Sequence, residues 1–154
     1  MDAIQAQAVS PLDHDEMEEF EEYVMEDKWE EVIEMYKNDI RFHKIKLKGR
    51  GTALHVAINN GYVNYVERLV DAIVKHDDKS GLTLLNEKDA TPLHLAAYRG
   101  FTNLANIILY CYPGLSYMKD KNDVTPLEVL ATRTSAFNSG STLLWWEKLL
   151  YYCK

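Results

Sequence analysis

The feature that most constrains this chain is the twelve-residue stretch from Asp89 to Gly100, in which nearly every residue has an identifiable structural role. Thr91 suits a helix N-cap, whose hydroxyl accepts a backbone N–H of the first turn, and Pro92 suits the first helical position because no N–H is needed there. The residues that follow are mostly apolar and partly small, and Gly100 can end the helix in a left-handed conformation. The stretch therefore predicts a short helix that neighbours approach closely on both sides.

The same pattern occurs twice more, around Thr52 and Thr125. The three anchoring threonines are separated by 39 and 34 residues, and a Thr-Pro-Leu-His-x-Ala pattern with a period of about 33 residues is typical of ankyrin repeats. The longer first interval predicts an extra loop around residues 75–82. The chain thus resembles ankyrin proteins, and the expected fold is all-α: a solenoid of stacked helix-turn-helix units with short hairpin loops.

The length of 154 residues and the apolar content of 47% suit one elongated domain. Residues 1–15 are expected to form a mobile acidic tail, and residues 16–154 the ankyrin domain. Residues 16–40 are expected to form a capping helical pair, because they lack the repeat pattern and their glutamates supply the polar outer face that a terminal repeat needs. Three repeats follow, at about residues 46–85, 86–119 and 120–154.

Charge is segregated along the chain. The net charge is −7, yet residues 1–31 hold twelve acidic residues against the single Lys28, and the rest of the chain has a balance of +4. Residues 41–50 alternate basic and apolar side chains, which predicts an extended hairpin arm projecting from the stack. Its cations could contact an acidic partner, anionic lipid or nucleic acid, could be covered by the acidic run of residues 13–22, or could simply be solvated. Nucleic acid is disfavoured because the chain is acidic overall and no aromatic platform lies among these charges.

The third repeat departs from the pattern. Glu128 replaces the histidine, so we expect a capping box with Thr125 but no hydrogen bond to a following repeat. The last helix, predicted from Thr142 to about Tyr152, is apolar all round, which is unusual where a polar cap is expected. Either further sequence covers it, or it is itself a binding face. The residues expected to form this association patch are Trp145, Trp146, Tyr151 and Tyr152.

A finer resemblance is to the plant ankyrin family whose full-length members end in a membrane-spanning PGG domain, the ACCELERATED CELL DEATH-type and ITN-type proteins. It rests on Trp29–Val32, on Gly51–Ala57, and above all on three segments of the last repeat: Thr125–Ala131, Ser135–Ser141 and Trp146–Cys153. It covers about residues 16–154, and nothing in the sequence matches the PGG domain. The resemblance implies plant defence or stress signalling through protein contacts, in either the amino-terminal part of a longer membrane protein or a natural short relative.

The residues that suggest chemistry have structural explanations. His55 and His94 recur at one place of a structural motif, so we expect each to bond the capping threonine and neighbouring backbone, which would tie one repeat to the next. The sequence lacks the nucleophile–base pattern of covalent catalysis and the glycine-rich loop of a phosphate site. Cys111 and Cys153 are expected to be reduced, partly buried thiols. We therefore expect a non-enzymatic chain without catalytic residues, metal or cofactor.

Partner recognition is expected in the concave groove that the resemblance implies, which is lined by the hairpin tips and by the inner surfaces of the first helices. Tyr98 with Arg99 is the best candidate for its energetic centre, because Tyr and Arg are enriched at such positions. Matching the motif repeat by repeat places the lining at Lys48, Arg50, Asn59, Asn60, Glu87, Lys88, Ala90, Tyr98, Arg99, Lys121, Asn122, Val124, Thr132 and Arg133.

The sequence thus predicts a protein–protein interaction module. The alternatives are a sensing or self-assembly domain of a membrane-anchored PGG-type protein, and a short form that titrates partners away from full-length relatives. No run of about 18 apolar residues and no signal peptide is apparent, so we expect a cytoplasmic protein, or one at the cytosolic face of the plasma membrane if it belongs to a longer chain.

Overall fold

The computed structural model describes residues 10–76 and 78–132, and this part of the chain forms seven α-helices and three 3₁₀ turns. The α-helices are α1 (His14–Met25), α2 (Trp29–Asn38), α3 (Ala53–Asn59), α4 (Val63–Lys75), α5 (Pro92–Tyr98), α6 (Thr102–Cys111) and α7 (Pro126–Thr132). The 3₁₀ turns are Ile40–Lys44, Ser80–Leu82 and Pro113–Tyr117.

The helices are arranged as stacked antiparallel pairs in two layers. Helices α3, α5 and α7 pack side by side in one layer, and α2, α4 and α6 form the other. The second helix of each pair is amphipathic: α4, for example, buries Val66, Leu69, Val70 and Ile73 on one face. The expected all-α ankyrin solenoid is therefore confirmed for the described residues.

The amino-terminal pair has an aromatic core. Phe20 and Tyr36 are fully buried, their rings stack at 6.0 Å, and Trp29 packs against Tyr62 of the next repeat with ring centroids 5.8 Å apart. These large side chains supply the apolar area that holds the acidic pair on the stack.

Helix α1 begins inside the residues predicted to be tail. Asp13 caps it: the Asp13 carboxylate accepts from the backbone N–H of Glu16 at 2.8 Å, and the Glu16 carboxylate accepts from the backbone N–H of Asp13 at 3.1 Å. This capping box satisfies two N–H groups that would otherwise lack partners, so the helix starts at His14 rather than after residue 15. The first nine residues lie outside the described part of the chain.

The prediction of an extended basic hairpin arm over residues 41–50 is wrong for residues 41–46. The Asp39 carboxylate accepts from the backbone N–H of Arg41 at 2.9 Å, which turns the chain into the 3₁₀ segment Ile40–Lys44. Phe42 then lies 5.2 Å from the ring of Phe20 and is buried. Burial of this ring outweighs the strand-like alternation of the sequence, and only residues 47–51 form a hairpin.

The extra residues of the first interval lie where they were expected. Helix α4 ends at Lys75, and a 3₁₀ turn follows at Ser80–Leu82, where Leu82 is fully buried. The insertion therefore packs on the stack through this leucine.

Candidate functional site: the hairpin tips and their groove

Three hairpin tips, each directly before the first helix of a repeat, lie at residues 47–51, 86–90 and 120–124. Each tip is closed by one backbone hydrogen bond from its first residue to its last. These bonds run from Leu47 to Gly51 (2.7 Å), from Asn86 to Ala90 (2.9 Å) and from Asp120 to Val124 (3.0 Å).

A side-chain acceptor at the first position holds the second and third tips. The Asn86 amide oxygen accepts from the backbone N–H groups two and four residues later, at 2.8 and 3.1 Å, and the Asp120 carboxylate does the same at 2.9 and 3.1 Å. Asp89 and Asp123 take the left-handed backbone conformation that each turn requires, with φ of 54° and 64°. The tip backbones are thus held from within, and the intervening side chains are free to point outward.

The two signature histidines connect each repeat to the next tip. His55 Nδ1 accepts from the Thr52 backbone N–H at 3.0 Å, and His55 Nε2–H donates to the carbonyl of Ala90, also at 3.0 Å. His94 repeats this arrangement with Thr91 and with the carbonyl of Val124. Because a carbonyl can only accept, Nε2 carries the proton in both rings. The expected structural role of these histidines is confirmed.

Burial of His55 favours its neutral form. The side chain is fully buried, and desolvation lowers the pKa of His55 to about 4, although the hydrogen bond to the Ala90 carbonyl opposes that shift. The imidazole is thus neutral at physiological pH and committed to the backbone on both sides. It has no position left for a metal ion or a substrate.

The capping box expected in the third repeat is confirmed. The Glu128 carboxylate accepts from the Thr125 backbone N–H at 2.7 Å, and the Thr125 hydroxyl accepts from the Glu128 backbone N–H at 3.3 Å. Unlike the histidines, Glu128 is exposed. Any partner it has in a following repeat lies outside the described residues.

Most of the predicted groove residues are exposed, and their role in binding stays a prediction. Ala90 lines the groove but offers a partner little surface, since it is only 3% exposed: its carbonyl accepts from His55 and its N–H donates to Asn86. Val124 is half-buried, and Arg133 lies outside the described residues, as does the predicted patch around Trp145. The exposed residues are Lys48, Arg50, Asn59, Asn60, Glu87, Lys88, Tyr98, Arg99, Lys121, Asn122 and Thr132.

Asp120 is the residue of the groove that the sequence analysis missed. Tyr98, 38% exposed, donates a hydrogen bond from its hydroxyl to the buried Asp120 carboxylate. This bond raises the pKa of Tyr98 to about 12. Burial alone would raise the pKa of Asp120, but the hydrogen bonds from Tyr98 and from the tip backbone outweigh it and hold that pKa below its ordinary value. The signal that could have found Asp120 is its equivalence to Asn86 at the first position of a tip.

Tyr98 and Arg99 have different partners. The Arg99 guanidinium lies 5.6 Å from the ring centre of Phe101, a cation–π arrangement, whereas Tyr98 is held against Asp120. Tyr98 is therefore a positioned wall of the groove rather than a loose side chain.

Two concave cavities meet at Tyr98. One, of about 590 Å³, is lined by Lys88, Ala90, Leu95, Tyr98, Asp120, Lys121 and Asn122. The other, of about 670 Å³, is lined by Tyr98, Asp123, Val124, Glu128, Val129, Ala131 and Thr132. The first has the exposed Lys88 and Lys121 at its rim and the buried Asp120 in its wall, whereas the charged residues of the second are the exposed Asp123 and Glu128.

Other chemistry finds little support in the described part of the chain. The grouping there that could offer three metal ligands is His14, Asp15 and Glu18, and all three are exposed. Cys111 is half-buried, and desolvation raises the pKa of its thiol, so it lacks the thiolate character of a reactive cysteine. None of the helices within residues 10–76 and 78–132 is long and apolar enough to cross a membrane.

Comparison with known proteins agrees with the architecture. The family described as ankyrin repeats (3 copies) matches residues 25–119, which is more than half of the chain. A search of curated proteins and a search of solved structures returned no significant match. The matched range includes the helices α2 to α6, the first two hairpin tips and both signature histidines. The chain belongs to the ankyrin-repeat family.

Proposed function

We propose that this chain binds a protein partner through the groove formed by its hairpin tips and by the carboxyl ends of α3, α5 and α7. Ankyrin repeats are generally protein–protein interaction modules. The observation that carries the proposal is a division of labour within the first two repeats. The threonine, histidine and alanine of the signature are fully buried in both, whereas the tip residues Lys48, Arg50, Glu87 and Lys88 and the helix-end residues Asn59, Asn60, Tyr98 and Arg99 are exposed.

The division has a physical basis. The backbone of each tip is held by its own closing bond. In the second and third tips Asn86 and Asp120 add side-chain bonds, and the histidine bonds connect these two tips to the preceding repeats. The outward side chains are therefore free to vary without loss of the fold. A rigid backbone that presents such side chains loses little conformational entropy when a partner binds.

The test is a capture experiment with a groove variant and a matched control. The groove variant carries Asn60→Arg with Arg99→Glu, two exposed positions at the carboxyl ends of α3 and α5. The control carries the same types of change at exposed positions of α4, Asn64→Arg with Lys75→Glu. Both are compared with the unchanged chain by affinity capture from plant extract at two salt concentrations, followed by mass spectrometry.

We expect the groove variant to lose the proteins that the unchanged chain and the control retain. Circular dichroism and thermal unfolding establish that both variants are folded. If every captured protein is retained by the groove variant, the partner surface lies elsewhere and the proposal fails.

The biological setting is proposed on the sequence resemblance alone. We propose a role in plant defence or stress signalling, in the cytoplasm or at the cytosolic face of a membrane, on the basis of the segments that resemble PGG-type ankyrin proteins. The capture experiment tests this too, because partners unrelated to signalling would count against it.

A second proposed surface is the carboxyl-terminal patch of Trp145, Trp146, Tyr151 and Tyr152, which lies outside the described residues. Its support is the run of large apolar side chains in the sequence. If it mediates self-association, the chain should sediment as a dimer and Trp146→Glu should yield a monomer. A monomeric unchanged chain would exclude this role.

A further inference from the structure

The lysines and arginines of the described residues fall into two groups. Seven lie within 4.0 Å of a described carboxylate: Lys28, Lys37, Arg41, Lys44, Arg68, Lys75 and Lys119. Of the seven others in that part of the chain, five lie in or beside the three hairpin tips: Lys46, Lys48, Arg50, Lys88 and Lys121. The cations that have no ion pair to a carboxylate of residues 10–76 and 78–132 are thus concentrated along the edge of the groove.

The backbones of two of these lysines, Lys88 and Lys121, meet across a repeat boundary. The backbone N–H of Lys121 donates to the backbone carbonyl of Lys88 at 3.4 Å, so the second and third tips touch at their lysines. Both side chains are exposed and stand at the rim of the 590 Å³ cavity, whose walls include Leu95 and Tyr98. The cavity therefore offers two lysines at its rim, an apolar wall, and the buried carboxylate of Asp120, whose charge is met by hydrogen bonds from Tyr98 and from the tip backbone.

Such a site has a definite complement. Two ammonium groups at the rim of one cavity repel each other, and a carboxylate bound in that cavity would be attracted by both. Leu95 and the ring of Tyr98 would receive an apolar side chain, and the Tyr98 hydroxyl, already committed to Asp120, would not compete for the carboxylate.

We infer that the occupant of this cavity is an aspartate or glutamate with an apolar neighbour, on an extended acidic segment of the partner protein. This inference rests on the proposed function and specifies its partner. The carboxylate binds between Lys88 and Lys121, and the apolar side chain packs on Leu95 and Tyr98.

The cations of the first hairpin tip could bind further carboxylates of the same acidic segment. Neighbouring helices in a layer lie roughly 8–10 Å apart, a distance that about three residues of an extended chain cover at roughly 3.3 Å each. A segment with a carboxylate about every third residue would therefore also meet the cations Lys48 and Arg50.

A nucleic acid fits this edge less well than an acidic segment. Glu87, Asp89 and Asp123 are interspersed among the tip cations and would repel an evenly charged phosphate backbone. A protein segment can place its carboxylates only where the cations are.

The probe for this inference is a library of random twelve-residue peptides displayed on phage and selected on the whole chain. Peptides that emerge should carry an acidic residue beside an apolar one. Their affinity, measured by fluorescence anisotropy on synthetic copies, should fall about tenfold or more for Lys88→Gln with Lys121→Gln. It should fall similarly when the peptide's own Asp or Glu is replaced by Asn or Gln.

The matched control is Lys75→Gln with Lys79→Gln, which removes two positive charges at a distance from the groove. It should leave the affinity within about twofold, since exposed charges outside the contact act only weakly. Circular dichroism of both double variants tests their folding, since Lys75, Lys88 and Lys121 are exposed and Lys79 is half-buried.

Several results would overturn the inference. The selection could yield no enriched peptide at all, or peptides without acidic residues. The Lys88→Gln with Lys121→Gln variant could bind the selected peptides as tightly as the unchanged chain does. A twelve-nucleotide single-stranded DNA could bind the chain as tightly as the peptides do. A Lys88- and Lys121-dependent change of oligomeric state in low salt would assign the site to a second copy of the chain instead. If non-acidic peptides emerge and lose binding to the Asn60→Arg with Arg99→Glu variant, the groove function stands and only the acidic partner is excluded.

Discussion

Lowering the pH from 7.5 to 5.0 is expected to destabilise this fold through the imidazole of His55. The ring is fully buried and hydrogen-bonded in its neutral form, with a pKa of about 4 in the folded chain against an ordinary value of 6.5. Between these two values the unfolded chain binds a proton that the folded chain does not. Stability is therefore full above pH 6.5 and is lost as the pH falls towards 4.

The magnitude follows from the separation of the two pKa values. A separation of about 2.5 corresponds to a total of roughly 3 kcal/mol, because each pKa unit is worth about 1.4 kcal/mol. At pH 5.0 the loss is about 2 kcal/mol, since the folded ring is still mostly neutral there while the unfolded ring is almost fully protonated.

The assay is urea unfolding of the whole chain at pH 7.5 and pH 5.0 at constant ionic strength. His55→Gln removes the titrating group, and a glutamine at this position can still accept from the Thr52 backbone N–H as in a capping box. His14→Gln, at an exposed position of α1, is the control. The unchanged chain and the control should lose about 2 kcal/mol more between the two pH values than His55→Gln does.

The quantity compared is the loss of stability between the two pH values in three otherwise identical chains, so the contributions of other titrating groups cancel. Burial also lowers the pKa of His43, and the ion pair with Arg41 lowers that of Asp39, but both residues are present in all three proteins. If His55→Gln loses as much stability in acid as the unchanged chain, the buried neutral ring is not a source of acid sensitivity and the reasoning is refuted.

Three further predictions concern the elements that build the groove. His94→Ala should lower the free energy of unfolding by about 3 kcal/mol, because it leaves buried backbone groups unsatisfied and opens a cavity. Glu128→Ala, at the equivalent but exposed position of the third repeat, should lower it by only about 1 kcal/mol. Equal losses of the two variants in urea unfolding would contradict this prediction. Gly51→Ala should be clearly more destabilising than Gly49→Ala. Both glycines have positive φ (76° and 72°), but only at Gly51 would an added Cβ meet the ring of His55, at 2.8 Å. Similar thermal unfolding midpoints of the two variants would argue against this close approach of Gly51 to His55. Trp29→Ala should cost about 3–5 kcal/mol, as expected for a large buried aromatic, and a loss below about 1 kcal/mol in urea unfolding would show that the amino-terminal pair is not held by this ring.

The helical array could be predicted because its determinants are local. Thr91, Pro92 and Gly100 act on the backbone within one or two turns, so their identity and spacing indicate where α5 begins and where it ends. The histidine bonds were also predictable, since a repeated motif places the same ring opposite the same backbone in each repeat.

The failures occurred where distant residues decide the conformation. Residues 41–46 alternate like a strand, but Phe42 packs against Phe20 and His43 against Tyr36, both on the preceding helices, and these contacts make a 3₁₀ turn more favourable. The start of α1 was missed for another reason: the Asp13–Glu16 capping box lies inside a run of acidic residues, where it looks like ordinary solvated charge.

The sequence by itself determined the family, the all-α stack, the exposed positions of the groove and the structural use of the histidines, because period and capping chemistry are properties of short segments. Only the tertiary structure decided that Tyr98 is held by Asp120, that Ala90 is buried, and that Lys88 and Lys121 stand together at one cavity. These facts depend on how one repeat lies against the next. The hydrogen bonds and apolar contacts between repeats set that arrangement, and they join residues that are 22 to 35 positions apart in the chain.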